Sequence, residues 1–341
     1  MKTSSTGLLF SLCLLLSLTT LSSSGQAQEE QRWYKVELLI FSHGVNAGEE
    51  KEKWDPNPQL LYPSRYRFLL DPKRIAANEA EFEGTSTLDD FGRQTLTITD
   101  PMPSLPEAID PNQPEPELIE DIQRPTPFIL LPRSELAFGS KALQMQRSGR
   151  YQTLFHESWV QPMVNKLSTR PIVVDHSGDE LQWPRLQGSV KFYLSRYLHL
   201  ETNLWLNTNG SYFPPGWQMP EAPLGPASLA LVYPEAEVTE VVDETLLFEP
   251  ANLQPTTGEE FVTNEETEKA DTPPVYPWGH AILLQQKRRM RSTEVHYLDH
   301  PLLGVVVQIT PVDEEELLHR ATDEAQQKAA QARLKLESDS T

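Results

Sequence analysis

Between Val190 and Asn207 the side chains follow a period of two, which only an extended chain with one buried face satisfies. The even positions are Val190, Phe192, Leu194, Arg196, Leu198, Leu200, Thr202, Leu204 and Leu206. The odd ones are Lys191, Tyr193, Ser195, Tyr197, His199, Glu201, Asn203, Trp205 and Asn207. Strands run about 3–10 residues, so the segment is one bent strand or two arms joined near Glu201–Asn203. Arg196 is the one charge on the apolar face. It suits a buried pair with an acid such as Glu157, or a position at the bend from which its head reaches water.

The same period recurs elsewhere. Arg32–Phe41 puts Tyr34, Val36, Leu38 and Ile40 on one face and Lys35 and Glu37 on the other, and Tyr151–Gln161 reads as a strand ended by Pro162. In Gln285–Pro311, preceded by Ile282 and Leu284, a Ser292-Thr293 turn makes a hairpin. It sets Met290 opposite Val295 as a buried pair, with Arg289, Arg291, Glu294 and His296 sharing the wet face. Gly304 then permits another reversal, and Val305–Thr310 is a third strand stopped by Pro311. Helical signals are sparser. A helix capped by Ser134, with Leu136, Ala142 and Leu143 inward, ends at Gly149. Asp313 with Glu316 forms a capping box for a C-terminal helix whose thin stripe is Leu317, Ala321, Ala325, Ala332 and Leu336. Long amphipathic strands with few helices predict an α+β domain on a twisted, mainly antiparallel sheet. One domain spans 28–311 and a solvated helix and tail 312–341; two smaller domains split near Pro214 are the alternative.

Two stretches cannot supply a core. Asp100–Pro127 holds eight prolines among acids and reads as an extended insertion. Pro234–Thr272 carries twelve acids against the single base Lys269 and reads as disordered. The N-terminus has the pattern of a secretory leader: Lys2, the apolar run Leu8–Leu18, then Gly25-Gln26-Ala27 with cleavage after Ala27. Its apolar run is too short to span a bilayer, and no second one follows, so no membrane anchor is expected in the mature chain. Cys13, the only cysteine, lies inside this run without a small residue before it, which argues against a lipoprotein. The formal charge of −20 becomes −21 without the leader, which speaks against nucleic acid or anionic lipid as a partner.

Four stretches resemble the CsiV family of periplasmic peptidoglycan-binding proteins: Trp33–Phe41, Phe128–Pro162, Leu186–Leu206 and the Gln285–Pro311 block. One departure is Thr293, where a glycine is more typical. The resemblance implies a non-enzymatic periplasmic protein of Gram-negative bacteria. Such a protein binds peptidoglycan and supports a class A penicillin-binding protein through its outer-membrane lipoprotein activator. It transfers no ligand residues, so a site has to be argued from the side chains themselves.

Sugars bind on exposed aromatic faces with planar polar groups alongside. The odd face of Val190–Asn207 offers Tyr193, Tyr197 and Trp205 with His199, and a neighbouring hairpin face would add Arg289, Arg291 and His296 for stem-peptide carboxylates. The opposing reading covers this face with the Ser134 helix and makes the tyrosines core. An enzyme is the other class. His296 and His300 with Asp299, and His280 or His156 as a third ligand, would make a zinc-dependent wall hydrolase. Yet histidines four apart converge only on a helix, and Val295, Tyr297 and Pro301 favour strand and turn. No serine has a lysine three residues on, and the mature chain has no thiol, so neither acyl-enzyme route has its nucleophile. No cofactor is implied.

Overall fold

The alternating segments pair into three sheets in the computed structural model, which describes residues 31–44, 55–82, 84–98, 124–174, 182–209, 221–233 and 275–339. The leader with Cys13 and nearly all of the proline-rich and acidic stretches lie outside the described residues. One four-stranded sheet has the order β10-β11-β1-β4, from β1 (Trp33–His43), β4 (Tyr151–Pro162), β10 (Val295–Asp299) and β11 (Leu303–Val312). The second has the order β5-β6-β7-β9, from β5 (Ile172–Val173), β6 (Leu186–Leu194), β7 (Leu198–Thr208) and β9 (His280–Met290). A smaller sheet joins β2 (Gly84–Leu88), β3 (Gln94–Ile98) and β8 (Leu229–Val232); its β3–β8 pair is parallel, against the antiparallel pairing of the two large sheets. Among the described residues three α-helices complete the α+β fold: α1 (Pro72–Glu81), α2 (Gly139–Arg147) and α3 (Glu314–Asp339).

The two large sheets share one core. Val36, Leu38 and Ile40 of β1 with Val305, Val307 and Ile309 of β11 belong to the same buried cluster as Val190, Phe192, Leu200, Leu204, Ile282 and Leu284. Trp159, fully buried, meets Phe192 edge to face at 5.9 Å and so joins the sheets. The even face predicted for Val190–Asn207 is thus the core face.

The opposite face of β1 is covered by the helices. Leu39 and Phe41 pack on Ala142 of α2, and Trp33 packs with Leu317 of α3. Glu37 is buried on this face, where its carboxylate accepts the amides of Ala137 at 2.7 Å and Phe138 at 2.8 Å and contacts His156 Nε2 at 2.9 Å. Burial alone would raise the Glu37 carboxyl, but these hydrogen bonds outweigh it and hold the group below the usual carboxylate range. Glu37 thereby fixes the Ala137–Phe138 turn that leads into α2. Ser134 caps nothing there: it sits in a separate 3₁₀ turn, Arg133–Glu135, and Leu143 points outward. Gly149 does take the left-handed conformation, φ +69°. Asp313 caps α3 through the Glu316 amide at 2.8 Å, but the Glu316 carboxylate turns to Arg320 instead of closing the box.

Four further sequence expectations are corrected. The two arms of the long alternating segment join at Ser195–Tyr197 rather than near Glu201–Asn203; Arg196 is exposed there and makes no pair with Glu157. β9 and β10 form no hairpin. Met290 pairs with Leu198 and is buried, Val295 pairs with Gln308 and is exposed, and Arg291–Glu294 carries the chain from one sheet to the other. Gly304 does not itself make the expected reversal, which falls at residues 300–302 between the antiparallel β10 and β11. It lies within β11, where a Cβ would stand 2.1 Å from the Phe41 ring. Finally, Pro311 does not stop β11, which runs to Val312 with Pro311 opposite Tyr34. The β10 partner ends at Gln308, and past it β11 has one open edge, where proline is tolerated.

Candidate functional site

The odd side chains of β6 and β7 point away from the shared core, and antiparallel pairing to β9 arranges them in cross-strand rows. These rows are Tyr193–His199–Arg289, Lys191–Glu201–Lys287, Ser189–Asn203–Gln285 and Gln187–Trp205–Leu283. The last row is roofed by loop segments: Tyr62 meets Trp205 edge to face at 5.0 Å, and Trp183, Tyr276 and Trp278 pack in the same cluster. The polar groups beneath the roof are paired. Asn207 donates to Pro184 O at 2.7 Å and to Gln187 Oε1 at 2.8 Å.

The second and third rows line a cleft of about 620 Å³ bounded by Tyr62, Lys191, Glu201 and Asn203, and the Tyr193–His199 pair of the first row borders an adjoining one of about 380 Å³ with Lys166 and Leu167. Lys287 lines both. Tyr193 and His199 stack at 5.0 Å with 15° between their planes. The Tyr193 hydroxyl donates to Glu201 Oε1 at 3.0 Å, Lys166 Nζ donates to the same oxygen at 2.7 Å, and Lys287 Nζ stands 3.7 Å from it. Lys166 and Lys287 lie over the Tyr193 ring, 5.7 and 6.0 Å from its centroid. At the turn, Tyr197 is 43 % exposed between the guanidinium groups of Arg289 at 4.8 Å and Arg196 at 5.6 Å.

Burial tends to raise the Glu201 carboxyl, but the Lys166 and Tyr193 hydrogen bonds with the two ammonium charges hold it below the usual range. His199 is lowered by burial first and by the Lys287 charge next, so its ring is neutral at pH 7. Its Nδ1 is buried and makes no hydrogen bond among the described residues. Burial also lowers Lys191. The ensemble is a neutral stacked pair ringed by cations around one carboxylate. Chemically it suits planar and anionic groups.

Of the residues singled out from sequence, Tyr193, Tyr197, His199 and Arg289 come together here. Trp205 shares the face but is fully buried under the roof. Arg291 and His296 lie in and just past the crossing turn, where Arg291 pairs with Glu294 at 3.4 Å and its amide donates to His296 Nε2 at 3.0 Å. The covering helix predicted as an alternative packs on the other sheet. Lys166 comes from a loop and carries no periodic signal, whereas Lys191 lies on the odd face of the alternating segment. Among the described residues no three potential metal ligands gather. His156 is held by Glu37 at 2.9 Å, and His300 Nδ1 accepts the Leu302 amide at 3.3 Å.

A family model described as "Peptidoglycan-binding protein, CsiV" matches residues 11–312. No curated protein and no solved structure matches the chain.

Proposed function

The chain belongs to the CsiV family of peptidoglycan-binding proteins, and from that premise we propose that it grips the cell wall through the open end of the β6–β7–β9 face, in the periplasm and without catalysis. The observation that carries this reading is a cation cluster on a protein whose formal charge is −20. Tyr197 supplies an exposed ring, the stacked Tyr193–His199 pair lines the smaller cleft, and Lys166, Lys191, Lys287 and Arg289 supply charge around Glu201. Net attraction to a wall rich in carboxylates is weak for so acidic a chain, so affinity has to be local.

The biological role that fits is a tether. Weak contact with murein, joined to a protein surface that engages the outer-membrane lipoprotein activator of a class A penicillin-binding protein, raises the effective concentration of the synthase at the wall. Co-sedimentation with purified sacculi tests the site. Wild type is expected in the pellet, and Tyr197→Ala with Arg289→Ala to weaken retention by about tenfold, since each removes an exposed contact without emptying the core. Equal retention of the double variant would move the site elsewhere, and release of soluble muropeptides would replace the tether with a hydrolase.

A further inference from the structure

We infer that the open cleft is a carboxylate site that reads the peptide stems of peptidoglycan rather than its sugars; the inference rests on the wall-binding reading of this face. Three ammonium groups, Lys166, Lys191 and Lys287, surround one acid. Glu201 Oε1 is already shared by Lys166 at 2.7 Å, Lys287 at 3.7 Å and the Tyr193 hydroxyl at 3.0 Å. Lys191 stands across the strand pair from Glu201, half-buried in the wall of the larger cleft. It makes no ion pair among the described residues. Glu201 faces Lys191 across the strand pair, but its carboxylate is already engaged by Lys166 and the Tyr193 hydroxyl, which leaves Lys191 able to take a ligand carboxylate.

The aromatic side of the cleft argues the same way. Stacking a sugar needs an open ring face. Tyr193 is 2 % exposed, with His199 stacked on it and the Lys166 and Lys287 ammonium groups over its ring. Trp205 is fully buried, and Tyr197 is flanked by two guanidinium groups. Cations are plentiful here and free ring faces are few. In peptidoglycan the unblocked carboxylates belong to the stems, while the lactyl carboxyl of the sugar is tied up in the amide that carries the stem.

Calorimetry with four probes tests this: a disaccharide-tetrapeptide muropeptide, the same muropeptide with its carboxylates converted to amides, a neutral chito-oligosaccharide, and glycan strands stripped of their stems. The muropeptide is expected to bind, its amide form at least tenfold more weakly, and the chito-oligosaccharide not at all. Lys191→Gln should weaken the muropeptide about tenfold, with Lys191→Arg restoring most of it. Glu201→Gln keeps the hydrogen bonds but removes the one competing charge, so it should tighten binding severalfold, which a merely structural role would not do. Equal affinity for the amide form, or weaker binding by a folded Glu201→Gln, overturns the inference while sacculi retention stands. Stripped strands binding as well as the muropeptide put the anion on the sugar and overturn the stem assignment. A protein that ignores intact sacculi as well overturns the wall-binding reading itself.

Discussion

His300 is a half-buried base held in its neutral form. Its Nδ1 accepts the Leu302 amide at 3.3 Å, which a protonated ring cannot do. Burial and the neighbouring His43 lower its pKa to about 4, against the opposing charge of Asp299. An unfolded chain takes up this proton near the ordinary value of 6.5, whereas the folded one waits until about 4. Stability is therefore complete above pH 6.5 and drains away as pH falls toward 4. Converted in full, the displacement is worth about 3 kcal/mol; partial solvent access cuts it to about 1–2 kcal/mol. Glu37 also fails in acid, but lower: its contribution holds above the usual carboxylate pKa and goes only when pH drops through its depressed value. Urea unfolding at pH 7 and pH 4.5 separates the two. Between these pH values wild type should lose about 1–2 kcal/mol more than His300→Asn, whose amide oxygen accepts the same N–H at any pH. Parallel losses in the two proteins would show that His300 titrates normally.

At the scale of elements, which face each strand buries was legible, and which strand it pairs with was not. Leu200 and Leu204 against His199 and Glu201 is decided by a period of two within one segment. Pairing is decided between segments. Met290 opposite Val295 satisfied the local pattern, but Met290 pairs with Leu198 and belongs to the shared core, while Val295 falls to an edge. The same limit hid the roof over Trp205, since Tyr62, Trp183 and Tyr276 are remote in sequence. It also hid the carboxylate that holds the turn before α2, since Glu37 lies 100 residues before Ala137. In the turn between the sheets Thr293 takes φ +66°. A β-branched residue there is strained by about 1–2 kcal/mol, and glycine gives back about 0.5–1 kcal/mol in backbone entropy. Thr293 holds the turn through main-chain groups, its amide on Ile309 O at 2.7 Å and its carbonyl under Gln308 Nε2 at 2.9 Å, and both survive substitution. Thr293→Gly should therefore stabilise by about 0.5–1 kcal/mol, seen in calorimetry as a rise of roughly 1–3 °C in Tm. A lower Tm would mean that the side chain, through its 2.6 Å hydrogen bond to Ser292 O, holds the turn.

For the whole molecule, charge sets a conflict that salt can resolve. The chain carries a formal −20, yet its candidate site is a cation cluster whose polar contacts lie at 2.7–3.7 Å. Composition made the first fact legible and hid the second, because Lys166, Lys191 and Lys287 come from three separate segments and meet only after folding. The two act at different ranges. Repulsion between an acidic protein and wall carboxylates reaches across many ångströms, and the Debye length falls from about 30 Å at 0.01 M salt to about 8 Å at 0.15 M. Contacts of about 3 Å in a half-buried cleft are screened much less at those concentrations. Sacculi retention should accordingly hold or rise from 0.01 to 0.15 M salt, then fall severalfold by 1 M, where the Debye length of about 3 Å reaches the ion pairs themselves. In Lys191→Gln the late fall should flatten, because fewer short-range pairs remain to be screened. Retention dropping steadily from the lowest salt would mean that long-range attraction governs encounter, and that the net charge of the chain does not oppose the wall.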